Sequence, residues 1–135
     1  MHRQRVILTS LWWAWGLLLI VLQVILSYQP AIFGDQASAA WEWLLPNLTP
    51  TLLLVGAVSY QQRRVERKSA DYRHLFGIAL AASAIYLLLL TMAILSVLFT
   101  TDPVAMLHKS NLWLGPLQGL TASVLGVFFT APVKE

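Results

Sequence analysis

No cysteine occurs anywhere in this chain. Disulfide frameworks, thiolate metal centres and cysteine nucleophiles are thereby excluded, and the redox compartment cannot be read from the sequence. Charge is nearly as scarce. Only 11% of the 135 residues are Asp, Glu, Lys or Arg, against about 25% in soluble domains. A water-soluble protein so composed would have trouble covering its surface. The few charges are also clustered. Apart from Asp35, Glu42, Asp102 and Lys109, they sit at the two termini or between Arg63 and Arg73. What lies between is strongly apolar, and 58% of the chain is hydrophobic. This is the pattern of an all-α, polytopic membrane protein.

The chemistry that usually marks a membrane enzyme or transporter is missing too. Ionisable groups buried in spans signal proton relays and ion coupling, because burying them is expensive. None of the predicted spans holds one, which argues against a proton-coupled transporter built on a buried Glu. The histidines are His2, His74 and His108. His74 and His108 are expected at opposite membrane boundaries, where they cannot share one metal or haem within a protomer. No Ser–His–Asp arrangement is readable. The Gly115–Gly119 spacing lies inside a hydrophobic run, not in a phosphate loop between strand and helix. The expectation is a non-enzymatic protein with no cofactor and no metal.

Taken in order, the runs predict four spans and one domain. The first covers residues 6–28, with Gln23 as its only strongly polar member. It is too long for a signal-peptide core and reads as a retained membrane helix. Trp12, Trp13 and Trp15 suit one interfacial aromatic belt, and Tyr28 suits the other. Residues 29–43 read as a connection broken by Pro30 and Gly34. It holds a short helix capped by Asp35, and Trp41 and Trp43 anchor it along the membrane surface. The second span covers 44–60, where Pro50 should kink the helix or delay its start. Asn47–Leu48–Thr49 matches a glycosylation acceptor, but Pro50 and the nearby membrane argue against use. The third span covers 75–101. A short turn at 104–110 leads to the fourth, 111–130.

Charge sets an expected orientation. Lys and Arg number two before the first span, none in the first loop, five in the second, one in the third and one in the tail. Cytoplasmic loops collect positive charge. The count places both termini and loop 61–74 in the cytoplasm of a four-helix bundle, in a plasma membrane of the bacterial inner-membrane kind. The net charge of +3 and pI of about 9.6 are therefore read as topology, not as nucleic-acid binding.

Two features carry functional expectations. The first is the loop 61–74, where Arg63, Arg64, Arg67, Lys68 and Arg73 face anionic lipid or an acidic cytoplasmic protein partner. The second is the last span, NLWLGPLQGLTASVLGVFF. On a helical wheel Asn111, Gly115, Gln118, Ala122 and Gly126 fall within roughly 60° of one another, flanked by Gly119 and Ser123. Trp113, Leu117, Leu120, Val124, Val127 and Phe128 fall opposite. Small residues let backbones approach closely in lipid. The stripe either packs inside the protomer or meets further copies around an axis. In the second case Asn111 and Gln118 would line a shared lumen, and uncharged polar linings conduct with little selectivity. The leading expectation is a homo-oligomeric channel or membrane-permeabilising effector. The alternative is an accessory subunit that anchors a cytoplasmic partner, for example in a defence or secretion complex, through loop 61–74.

Overall fold

The computed structural model describes residues 2–61 and 70–130. Among them there is no strand. Four long helices account for most of the described residues: α1 His2–Ser27, α2 Ala37–Gln61, α3 Ala70–Ser96 and α4 Pro103–Thr130. The helix α1 packs on α2 and α3, and α4 packs on α2 and α3. Side-chain pairs fix the directions. Thr9 meets Ser59, and Gly16 meets Leu52, so α1 and α2 run antiparallel. The tilted rings of Phe76 and Phe128 lie 6.0 Å apart at one end, and the short connection from Ser96 to Pro103 joins the other, so α3 and α4 do the same. Trp43 pairs with Ser110 and Asn47 with Asn111, so α2 and α4 run parallel.

Three of the helices, α1, α3 and α4, are long and apolar enough to cross a membrane. Burial shows why they belong in one. The buried edge of α1 repeats as Leu8, Trp12, Gly16, Leu19, Gln23 and Leu26, a helical period. Its exposed side carries Val6, Ile7, Leu17, Leu18, Val21 and Ile25. The polar Gln23 is inside and the aliphatic side chains are outside, the reverse of a helix that faces water. The chain is a multi-pass membrane protein. The helix α2 is not among the three. Glu42, Pro46, Asn47, Thr49, Pro50 and Thr51 dilute its apolar character.

Several boundaries differ from the sequence reading, each for a local reason. The connection 29–43 is mostly helix. Gly34 adopts a left-handed φ of 51°, accessible to glycine at little cost. That turn feeds a 3₁₀ turn at Gly34–Gln36, and α2 runs on from Ala37. Pro50 neither delays nor ends α2, which is continuous through Pro46 and Pro50. Residues 104–110 are helix rather than turn. Asp102 accepts the Ala105 N–H at 3.1 Å and Pro103 occupies the first helical position. This cap and proline pairing starts a helix wherever it falls. The α3 segment begins at Ala70, five residues earlier than expected, and closes through a 3₁₀ turn at Val97–Phe99.

The tryptophans also depart from the aromatic-belt expectation. Trp12 and Trp43 are fully buried and Trp15 and Trp41 are half-buried; of the belt residues, Trp13 and Tyr28 are exposed. An indole N–H needs a partner away from water. The Trp12 Nε1 donates to Ser83 at 3.0 Å, Trp15 to Thr91 at 2.9 Å and Trp43 to Ser110 at 3.0 Å. Thr91 and Ser110 in turn donate to Leu87 O and Leu107 O. Hydroxyls spaced along α3 and α4 thus draw these indoles inward.

Candidate functional site

Among the described residues a dense polar cluster lies where the two prolines remove hydrogen-bond donors from the otherwise continuous α2. Pro50 has no N–H, so the Pro46 carbonyl four residues earlier loses its helical donor, and the ring pushes that carbonyl aside. The amide of Gln118 on α4 fills the gap. Its Nε2 donates to Pro46 O at 3.0 Å and to Asn47 O at 3.2 Å. From α3 the Tyr86 hydroxyl donates to the same Asn47 O at 2.7 Å. The Asn47 side chain, almost fully buried, donates to Trp43 O at 2.7 Å and to Asn111 Oδ1 at 3.0 Å. Tyr86 stacks on Trp12 with ring centroids 6.1 Å apart. A broken turn of one helix is therefore held by side chains from two others, the arrangement that lets proline persist within membrane helices.

The stripe on α4 is divided by this geometry. Gln118 and Asn111 turn towards α2 and are engaged there, so they are not free to line a shared lumen. The glycines do not pack inside the protomer. A Cβ placed on Gly115, Gly119 or Gly126 would meet nothing within 4 Å. Gly115, Gly119 and Ser123 are exposed, and Ala122 and Gly126 are half-buried. The buried edge of α4 is instead Leu107, Ser110, Leu114, Thr121, Leu125, Phe128 and Phe129. Phe128, on the bulky side opposite the stripe, is in the core. The close glycine contacts that do exist lie between α1 and α2. There a Cβ on Gly16 would stand 3.1 Å from Leu52, and one on Gly56 would stand 3.4 Å from Trp13.

Of the basic loop, Arg63, Arg64, Arg67 and Lys68 lie outside the described residues. Arg73 is exposed in the first turns of α3, beside the exposed His74. His108 is exposed on α4 near its start. The antiparallel pairing of α3 with α4 keeps these two histidines at opposite ends. No group of three metal-ligating side chains occurs among the described residues.

Two buried polar groups in the described residues have no hydrogen-bond partner: both amide atoms of Gln23 and the hydroxyl of Thr51. Sequence reasoning identified Gln23 as the odd polar residue of its span but not its burial, and it passed over Thr51. A bare buried amide costs roughly 1–3 kcal/mol. Gln23→Leu keeps similar bulk and removes that cost. The expected result is a variant about 1 kcal/mol more stable, because the unfolded helix in lipid also finds partners for its Gln. Thermal unfolding in one fixed detergent reads it, and a loss of stability would show that Gln23 is satisfied in the membrane.

Comparison with known proteins finds no matching family, no matching characterised protein and no matching solved structure.

Proposed function

We propose that this is a homo-oligomeric membrane protein without catalytic machinery, whose copies meet along the exposed Gly115, Gly119 and Ser123 ridge of α4. The observation that carries the reading is the contrast within one helix. One edge of α4 is packed with Leu, Thr and Phe, while the adjacent ridge presents glycines with open space beyond them. Bare helix backbone gains little from lipid tails and much from a second helix at close approach. Each copy is a four-helix bundle in which α2 is the fourth span. Its proline-interrupted turn is shielded by Gln118, Tyr86 and Asn111 rather than left to lipid. In this reading both termini and loop 61–74 lie in the cytoplasm, supported by the positive-inside bias that then puts eight of nine Lys and Arg on that side. The membrane is a bacterial-type plasma membrane.

The role is that of a channel or membrane-permeabilising effector, with its path between copies. The middle of each protomer is occupied by Trp12, Trp43, Tyr86 and Phe128, all fully buried. Ser123 is then the polar side chain nearest an intersubunit path, since Asn111 and Gln118 are engaged with α2 and Thr121 is buried.

The test is the mass of the purified protein in nanodiscs, together with dye efflux from liposomes. The expected result is a defined multiple of 15.1 kDa, with efflux that rises with assembly. A monomer at every protein-to-lipid ratio overturns the proposal and turns attention to a partner bound by loop 61–74.

A further inference from the structure

The chain uses one local device repeatedly. Ser27, Ser59, Thr91, Ser123 and Thr130 each donate a hydroxyl back to the carbonyl four residues earlier, at 2.6 to 2.8 Å. This back-bonding is the ordinary fate of a Ser or Thr hydroxyl in a helix that lacks water. Thr51 sits in the same relation to Asn47, in the middle of α2, and is buried to 1% exposure. Its hydroxyl has no partner. The physical reason is occupancy. The Asn47 carbonyl already accepts from Tyr86 Oη at 2.7 Å and from Gln118 Nε2 at 3.2 Å.

We propose that the Asn47 carbonyl is a hydrogen-bond switch contested by Gln118 of α4 and Thr51 of α2. In the state described above, Gln118 holds Pro46 O and Asn47 O, latching α4 to the proline turn, and the Thr51 hydroxyl is bare. In the second state Thr51 rotates into the back-bonding position on Asn47 O, and Gln118 leaves α2.

Three features make both states accessible. Of the two side-chain bonds to Asn47 O, the one to be given up is the longer, while the shorter bond from Tyr86 stays. The Pro46 carbonyl that Gln118 also abandons lies at the exposed edge of the contact, so the cost of leaving it falls at the bundle surface and not in the packed core. And α2 carries prolines at 46 and 50, on either side of the contested carbonyl, so the turn has no complete helical ladder to resist a change of angle. A bare hydroxyl in a low-dielectric interior is itself costly, which supplies the drive for Thr51 to compete. The consequence is a joint between α2 and α4. Released Gln118 stands on the same face of α4 as Asn111, two turns away, and next to the glycine ridge. The switch belongs to a single protomer and does not depend on self-association.

The absence of native cysteine makes a distance test clean. Spin labels at Leu45→Cys on α2 and Leu120→Cys on α4, both exposed positions, report the α2–α4 separation in nanodiscs. Unlabelled protein in excess removes signals between copies. The expected result is two populations in the parent protein. Thr51→Val, which keeps the shape and removes the donor, should deplete the longer one at least ten-fold, and Thr51→Ser should restore it. Gln118→Leu should make the longer population dominant. A single distance shared by the parent, Thr51→Val and Gln118→Leu overturns the proposal. If Thr51→Val does not fold, the parent and Gln118→Leu decide alone: one unchanged distance in both overturns it, and a shift to longer distance supports it.

Discussion

Trp12→Ala should destabilise the protein by about 2–4 kcal/mol, more than truncation of any other residue of α1. Trp12 has no exposed surface, stacks on Tyr86 and donates its indole N–H to Ser83 of α3. Removing a buried Trp from a water-soluble core costs about 3–5 kcal/mol. Part of that figure is transfer from water, and it largely disappears when the unfolded helix sits in hydrocarbon. What remains is the cavity, the lost dispersion contacts and the hydroxyl of Ser83 left without its donor. The neighbouring residue is the control. Trp13 is 45% exposed and faces away from the core, apart from its ring edge at Gly56. Trp13→Ala should therefore cost less than about 1 kcal/mol. Denaturant titration in mixed micelles, read by helix content, compares the two. Equal costs would mean that the two indoles have the same surroundings, and the inward turn of Trp12 would be wrong.

The sequence announces the class of this protein through the exclusion of charge from long runs, and three membrane-length helices follow from hydropathy alone. It is less explicit about which face of each helix is inside. Composition cannot distinguish Trp12 from Trp13, because the difference lies in Ser83, seventy-one positions away. The same holds for Trp43 and Ser110. A tryptophan near the end of a hydrophobic run suits an aromatic belt, and only a hydroxyl on a facing helix overrides that reading. The continuity of α2 through Pro46 and Pro50 was equally hidden. A proline removes one donor, and whether the helix survives depends on what replaces it. Here the replacement is Gln118, on a helix two connections later. The start of α4, by contrast, was fully local. Thr101–Asp102–Pro103 is an N-cap followed by an N1 proline, and the helix begins where that chemistry puts it.

The stripe read from the sequence as one face is divided in the protomer between amides that engage α2 and glycines that pack on nothing there. Wheel geometry grouped Asn111, Gly115, Gln118, Ala122 and Gly126 because they share one side of α4. That side straddles the border between the contact with α2 and the exterior. The two amides reach across the border to backbone and side-chain partners, while glycine, lacking a side chain, reaches nowhere. Residue chemistry, more than angular position, decides which members of the stripe belong to the protomer.

Gly119→Leu should abolish self-association while leaving the protomer folded, with a dissociation constant in the membrane raised about 100-fold or more, equivalent to ~2.7 kcal/mol. The opposing expectations make this substitution decisive. Gly119 is exposed and nothing lies within 4 Å of a Cβ placed on it in the protomer, so the leucine side chain starts into open space. Leucine is also a better helix former than glycine, by up to about 1 kcal/mol, and its side chain is at home among acyl chains. If the ridge faces only lipid, the variant is neutral or slightly more stable. If the ridge is where helices meet, each copy brings a leucine into a space that admits only backbone, and a symmetric interface suffers twice. Gly119→Ala should lie between, and Trp113→Leu, on an exposed position of the same helix, should assemble normally. Mass in nanodiscs and unfolding temperature, taken together, separate the cases. Loss of the oligomer with an unchanged or raised unfolding temperature identifies the interface. Normal assembly by Gly119→Leu removes the ridge from any account of how copies meet.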